Sequence, residues 1–170
     1  MAKLYFKNGV MGSCKTVLAL TAKHNYESQG MRVCLIKPQT DNRSGETTVS
    51  SRIGLSATVD IVAAAIDNLD LRIKDFWNIG EKYPFDVIIV DEAQFLTETQ
   101  VDELRQITVD FDVPVLCYGL RTDFQTHLFP GSRRLLEVAD TIQEDTKYVC
   151  RCGHKAIFNV RMVNGVPAMD

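Results

Sequence analysis

The sequence predicts an α/β protein, a parallel β-sheet flanked by helices, followed by a small C-terminal unit of different character. Three observations lead there. Short apolar runs ("KLYF", "MRVCLI", "FDVIIV", "VPVLCYGL") alternate with stretches of helical spacing, the rhythm of strands joined by right-handed crossovers. Several of those runs are apolar nearly throughout, as strands buried on both faces are. After about Thr141 the character changes, and two close cysteines there could be pinned by a metal.

Each element has its own signal. A strand over 3–6 ends at Gly9, and "KTVLALTAKHNYESQ" over 15–29 has amphipathic helical spacing closed by Gly30. A second strand covers 31–36. The polar, turn-rich stretch 37–54 reads as a functional loop. Residues 57–80 have a mostly helical pattern, with a break near Asn68. The strongest strand, 85–90, is ended by Asp91-Glu92. Thr97 caps the next helix, followed by acidic residues and helical spacing to 111. A buried strand over 113–120 and a short helix over 131–139 follow, and 140–163 reads as β-ribbon.

Composition narrows the function. The 170 residues, 45% apolar and 24% charged, suit one domain with a real core and a small appendage. A net charge of −3 gives no electrostatic reason to bind nucleic acid or an anionic membrane. No apolar run approaches the ~20 residues of a membrane span, and the first ten residues lack a signal-peptide pattern. Cys34 and Cys117 lie inside apolar strands, and the five cysteines do not form a secreted framework. These features point to the cytoplasm.

The chemistry starts at "FKNGVMGSCKTVLAL". Gly9-Val10-Met11-Gly12-Ser13-Cys14-Lys15-Thr16 fits the phosphate-loop pattern G-x-x-x-x-G-K-[ST] at every fixed position except Cys14. Such a loop curls backbone N–H groups around a phosphate at a helix N-terminus. Lys15 would reach the β- and γ-phosphates and Thr16 would bind Mg²⁺. The competing reading is a strand-turn-helix with a surface lysine, but the position of Lys-Thr at the helix start favours the functional one. Cys14 puts a side chain where glycine leaves the approach open, which predicts weakened nucleotide binding.

A second anchor lies in "FDVIIVDEAQF". Asp91, at a strand end, would hold Mg²⁺, and Glu92 would accept a proton from a nucleophile. A strand that simply ends in acids to reach solvent is the plain alternative, and the pairing with the phosphate loop argues against it. Together they fit a P-loop NTPase-like fold, either a small-molecule kinase or an ATPase that activates water. The length and the absence of a basic bias disfavour a helicase, so the kinase is preferred.

"NGVMGSCKT", "KPQTDNRSG", "VSSRIGLS", "VDEAQFLT", "VPVLCYGLRTDF", "LFPGS" and "CRCGHKA" occur in the order found in the thymidine kinases of the cellular and bacterial type, and the chain resembles that family from Lys3 to about Arg161. The resemblance implies transfer of the ATP γ-phosphate to the 5′-hydroxyl of thymidine or deoxyuridine. It assigns catalysis to Glu92, Lys15 and Arg43, the last with Asp41 close by. It places ATP at Gly9, Val10, Met11, Gly12, Ser13, Cys14, Lys15, Thr16, Asp91, Glu92, Ala93 and Gln94, with Mg²⁺ at Thr16 and Asp91. The thymine would lie among Met11, Phe95, Leu120, Phe124 and Phe129, for which core packing is the alternative. A homotetramer is implied.

The resemblance also implies a phosphate-loop α/β domain over 1–143 and a partial zinc-ribbon and lasso domain over 144–170. Cys150 and Cys152 match the first of two Zn²⁺ ligand pairs, so the sequence to Asp170 supplies half a site and no base-gripping glycine loop. His154 reads as solvated rather than as a third ligand. These departures, with Cys14, make a catalytically impaired nucleotide-binding relative the alternative expectation. The set Lys15, Thr16, Asp91, Glu92 and Gln94 argues against it, because packing alone requires none of them.

Overall fold

The computed structural model describes residues 1–39, 47–77, 83–145 and 148–168. The chain opens with β1 (Leu4–Asn8), α1 (Lys15–Ser28) and β2 (Val33–Pro38), then three short strands β3 (Thr48–Ser50), β4 (Ser56–Thr58) and β5 (Ile61–Ala63). It continues through α2 (Leu69–Lys74), β6 (Val87–Val90), a 3-10 turn at Ala93–Phe95, α3 (Glu98–Asp110) and β7 (Val115–Gly119). α4 (Pro130–Val138), β8 (Thr141–Glu144), β9 (Arg161–Val163) and β10 (Val166–Ala168) complete it.

Six strands form one sheet in the order β5-β2-β6-β7-β1-β8, and every neighbouring pair is parallel. The apolar runs of β2, β6 and β7 are buried on both faces, as their composition requires. Alternate side chains separate into two cores. Phe6, Cys34, Ile88, Val90 and Cys117 face Leu69, Leu104 and Leu135 from α2, α3 and α4. Leu35, Val87, Ile89, Leu116 and Tyr118 face Ala19 and Leu20 of α1 on the other side.

Two helix starts follow their sequence signals. Thr97 caps α3 through a reciprocal box: its hydroxyl accepts from Gln100 N–H at 3.2 Å, and the Gln100 side chain accepts from Thr97 N–H at 3.1 Å. The break expected near Asn68 is the cap of α2, where the side-chain oxygen accepts from Leu71 N–H at 2.8 Å.

The helical reading of 57–80 is otherwise corrected. Ser56–Thr58 pairs antiparallel with Thr48–Ser50, and Ile61–Ala63 is the edge strand beside β2. Val59, Ile61 and Val62 are β-branched, and Ile61 and Ala63 alternate into the core. The stretch read as loop from 37 likewise begins with the last two residues of β2. The β-ribbon expected over 140–163 is displaced too. Thr141–Glu144 joins the main sheet parallel to β1, and the hairpin lies later, at β9 and β10. Asn164 and Gly165, both at positive φ (51° and 81°), supply the tight two-residue turn that joins them.

No helix among the described residues is long and apolar enough to cross a membrane. Ile88 is fully buried in the central strand and Ile66 is 95% exposed. Ile88→Ala is expected to lower the unfolding free energy by about 2–5 kcal/mol. Ile66→Ala should change it by no more than ~0.5 kcal/mol. Urea titrations of both variants check this; equal losses would mean that the sheet interior does not carry the stability.

Candidate active site

The carboxyl ends of β1, β6 and β7 lie at one edge of the sheet, and the residues that follow each strand make the site. After β1 the chain turns through Gly9–Thr16. The Gly9 N–H donates to the carbonyl of Gly119 at the end of β7, 3.3 Å away. A Cβ at Gly9 would meet the Ser13 hydroxyl at 2.4 Å and the Cβ atoms of Ser13 and Asp145 at 3.2 Å, so glycine relieves crowding at this turn. Gly12 has φ +84° and lies under the ring of Tyr148, whose hydroxyl would be 3.0 Å from a Cβ at that position.

Cys14 takes φ 61°, ψ 22° as the residue that opens α1, and its side chain makes no cap. This left-handed position explains why the pattern asks for glycine: the backbone, as well as the approach of a ligand, disfavours a Cβ. The thiol is exposed and lies 3.8 Å from the Gly12 carbonyl. Lys15 is buried, and its ammonium donates to the Val10 carbonyl at 2.7 Å, to Ser13 Oγ at 3.3 Å and to the Gly9 carbonyl at 3.4 Å. It therefore spans the inside of the loop.

The acidic pair splits as its spacing requires. Asp91 is buried, its N–H donates to Ile36 O at 3.0 Å, and its carboxylate accepts from Thr16 Oγ1 at 2.9 Å. Thr16 and Asp91 thus present oxygen donors side by side, a set suited to a hard cation such as Mg²⁺. Glu92 turns away through a left-handed backbone, φ 53° and ψ 38°, a conformation uncommon for a residue other than glycine. Its carboxylate accepts from Gln94 Nε2 at 2.5 Å, while Gln94 Oε1 accepts from Leu120 N–H at 3.0 Å. Gln94 is completely buried, and both partners determine its amide orientation. A Cβ at Gly119 would come within 2.8 Å of Gln94 Oε1, so the glycine that ends β7 makes room for this link.

A cleft of about 470 Å³ lies over these groups. Met11, Lys15, Thr16, Asp91, Glu92 and Leu120 line it together with the segment Val49–Ile53. Of the five residues expected around a base, only Met11 and Leu120 line this cleft. Phe95 and Phe129 pack edge to face on each other, with centroids 5.5 Å apart, and Phe124 lies under the Arg161 guanidinium at 5.6 Å. Arg43 and Asp41 lie outside the described residues. Ser51 and Arg52 line the cleft without having been singled out; "VSSRIGLS" carried them, but a serine and an arginine in a polar stretch have no signal of their own.

Burial pushes the Tyr118 phenol up to about 12, with Tyr26 and Asp91 adding to it, so Tyr118 is neutral beside the site. Burial likewise raises the Cys34 and Cys117 thiols, which makes them inert core residues, as their strands implied. Cys150 and Cys152 share an exposed turn in which Cys150 N–H donates to His154 O at 2.8 Å. Hydrogen bonds from Cys152, first its backbone and then its side chain, hold the Cys150 thiol below its usual range. Two thiols are half of a tetrahedral zinc set, and among the described residues no cluster of three His, Cys, Asp or Glu side chains adds to them.

A parallel sheet with this loop after β1 and an acidic end on β6 has the architecture of the phosphate-loop nucleotide-binding proteins. Residues 2–169 match the family model described as thymidine kinase. A thymidine kinase of Ruegeria pomeroyi is 44% identical over 161 residues, 95% of this chain and 79% of that protein. One of Lactobacillus acidophilus is 41% identical over 174 residues, 100% of this chain and 86% of its own length. One of Legionella pneumophila is 44% identical over 162 residues, 95% and 76% of the two chains. The chain belongs to the thymidine kinase family. Among solved structures, a DNA replication initiation factor superposes with a TM-score of 0.49 at 17% identity, over 85% of this chain and 40% of its own, a similarity too low to argue from.

Replacing Cys14 by glycine relieves a left-handed turn while making the unfolded chain more flexible. Cys14→Gly is expected to raise the unfolding free energy by about 0.5–1 kcal/mol net. Denaturant midpoints of the two proteins compare them directly, and a lower midpoint for the glycine variant would mean that the turn is not strained.

Proposed function

We propose that this chain is an ATP-dependent thymidine kinase, which moves the γ-phosphoryl group of ATP to the 5′-hydroxyl of thymidine or deoxyuridine. The observation that carries the reading is the position of Glu92. Its carboxylate turns off the end of β6 into the cleft, beside Asp91 and Thr16 and across from the phosphate loop. The names of the relatives supply the nucleoside.

In this reading the triphosphate lies along Gly9–Thr16, with its anionic oxygens on the loop's N–H groups and on the N-terminus of α1. Lys15 exchanges its contacts with the Val10 and Gly9 carbonyls for the β- and γ-phosphates. Thr16 and Asp91 would hold Mg²⁺, which when bound neutralises phosphate charge. The 5′-hydroxyl sits in line with the γ-phosphorus and gives its proton to Glu92 as its oxygen forms the new P–O bond. The bond to the β-phosphate oxygen breaks, and ADP leaves. Gln94 keeps the Glu92 carboxylate aimed, through its donor bond to Oε2. Most of the acceleration is positioning and charge neutralisation, because the transferred group is loosely bonded at the transition state. Met11 and Leu120 would flank the base, and Arg43 would stand near the reacting hydroxyl.

Cys14 favours a second reading, a nucleotide-binding relative with impaired catalysis, since its left-handed backbone places a side chain at the loop's crest. Calorimetry with MgATP separates the two. The kinase reading expects binding by the native chain and tighter binding by Cys14→Gly; binding by the glycine variant alone would favour the impaired relative.

Glu92→Gln is expected to lower kcat by about 10²–10⁴-fold, the usual scale for a lost general base. MgATP affinity should hardly change. Phosphoryl transfer from labelled ATP to thymidine gives the first quantity and calorimetry the second. If both fall together, Glu92 shapes the loop instead of accepting the proton.

A further inference from the structure

Asn159 follows the cysteine turn of the C-terminal unit and precedes β9, in the apolar run "AIFNV". Its carboxamide is used at both ends. Oδ1 accepts from the Met11 N–H at 2.7 Å, and Nδ2 donates to the Thr122 carbonyl at 3.3 Å. A backbone N–H needs an acceptor and a carbonyl needs a donor, so the two partners determine the amide orientation between them. One side chain thereby ties the phosphate loop to the chain beyond β7.

The same unit reaches the loop a second time. The Tyr148 ring lies against Gly12, the residue after Met11, at a distance that leaves little room for a Cβ. Phe158, next to Asn159, packs under the Arg121 guanidinium at 5.7 Å, and the Lys155 ammonium bridges to Glu144 at 2.6 Å. These contacts seat the unit beside the site, but among its described side-chain bonds only that of Asn159 reaches the backbone of the loop. Met11 carries the consequence, since its side chain lines the cleft while its N–H is held from outside it.

We propose that Asn159 is a positioning residue for the phosphate loop: by holding the Met11 N–H it sets the curvature of the Gly9–Thr16 turn and the place of Met11 in the cleft, so the C-terminal unit tunes nucleotide affinity. The loop contains a residue, Cys14, whose backbone disfavours the required turn, and an external tether offsets that tendency. The consequence for affinity rests on the phosphate-loop reading given under Proposed function; the tether itself does not.

The test has two arms on the full chain. In the substrate-free protein, amide exchange at Met11 is followed by NMR for the native chain, Asn159→Ala, Asn159→Asp and Lys155→Ala. Asn159→Ala is expected to speed Met11 exchange about tenfold, the scale of one lost hydrogen bond. Asn159→Asp keeps the acceptor and should leave the amide protected. Lys155→Ala removes an exposed ion pair without touching the loop and should leave it unchanged. In the second arm, Asn159→Ala is expected to weaken MgATP binding about five- to tenfold while the melting temperature falls by no more than about 4 °C, so the protein remains folded at the assay temperature.

Unchanged Met11 exchange in Asn159→Ala would overturn the tether. So would equal acceleration in Lys155→Ala, which would assign the effect to docking of the whole unit. An affinity loss that only tracks a fall in melting temperature would reduce Asn159 to a structural role. If the native chain binds no MgATP, the functional reading fails, and the amide arm alone still decides the tether.

Discussion

The site depends on parallel register. β1 pairs with β7 so that Phe6 stands opposite Cys117 and Asn8 opposite Gly119, and β7 pairs with β6 so that Cys117 stands opposite Val90. The three strands therefore run out at the same edge, and the loop, the acidic pair and Leu120 follow from one level. Had β1 paired in the opposite direction, Gly9 would leave from the far edge and Thr16 could not reach Asp91. The register is strongly specified because both faces of the sheet are buried: a one-residue slip would exchange the Phe6, Cys34 and Val90 face with the Leu35, Ile89 and Tyr118 face.

Of the five described non-glycine residues at positive φ, two belong to the cleft. Cys14 and Glu92 both line the cleft, each at a junction where the chain leaves a strand or loop for a helical turn. Each such residue costs on the order of 1–2 kcal/mol. Hydrogen bonds around them, most of them part-buried, hold the geometry. Glu92 is tied through Gln94 to Leu120, and the loop that includes Cys14 is tied through Thr16 to Asp91 and through Asn159 to Thr122. The turns in the site are thus supported by hydrogen bonds that reach far along the chain.

The unit after β8 fits this arrangement. Its hairpin and cysteine turn are largely exposed, and Tyr148, Phe158 and Asn159 pack against Gly12, Arg121 and Met11 of the preceding chain. Membership of the thymidine kinase family makes the chain's reaction a phosphoryl transfer. The links through Gln94 and Asn159 tie Glu92 and the loop after β1 to distant parts of the chain.

Local signals in the sequence determined much of this. Runs of apolar residues announced β2, β6 and β7, because a strand buried on both faces has no polar side to show. Thr97 and Asn68 marked helix starts, because a cap acts on N–H groups two or three residues away. The phosphate loop and the Asp91-Glu92 pair were legible because backbone geometry and charge demand particular residue types at fixed spacing. The short strands at 56–58 and 61–63 were not, since their edge pairing with β3 and β2 overrode a helical pattern. Only the tertiary structure decided that Phe95 pairs with Phe129 while Met11 and Leu120 line the cleft. It alone brought Asn159 to Met11, across 148 residues of chain, because the contact depends on how distant segments pack and leaves no local pattern to read.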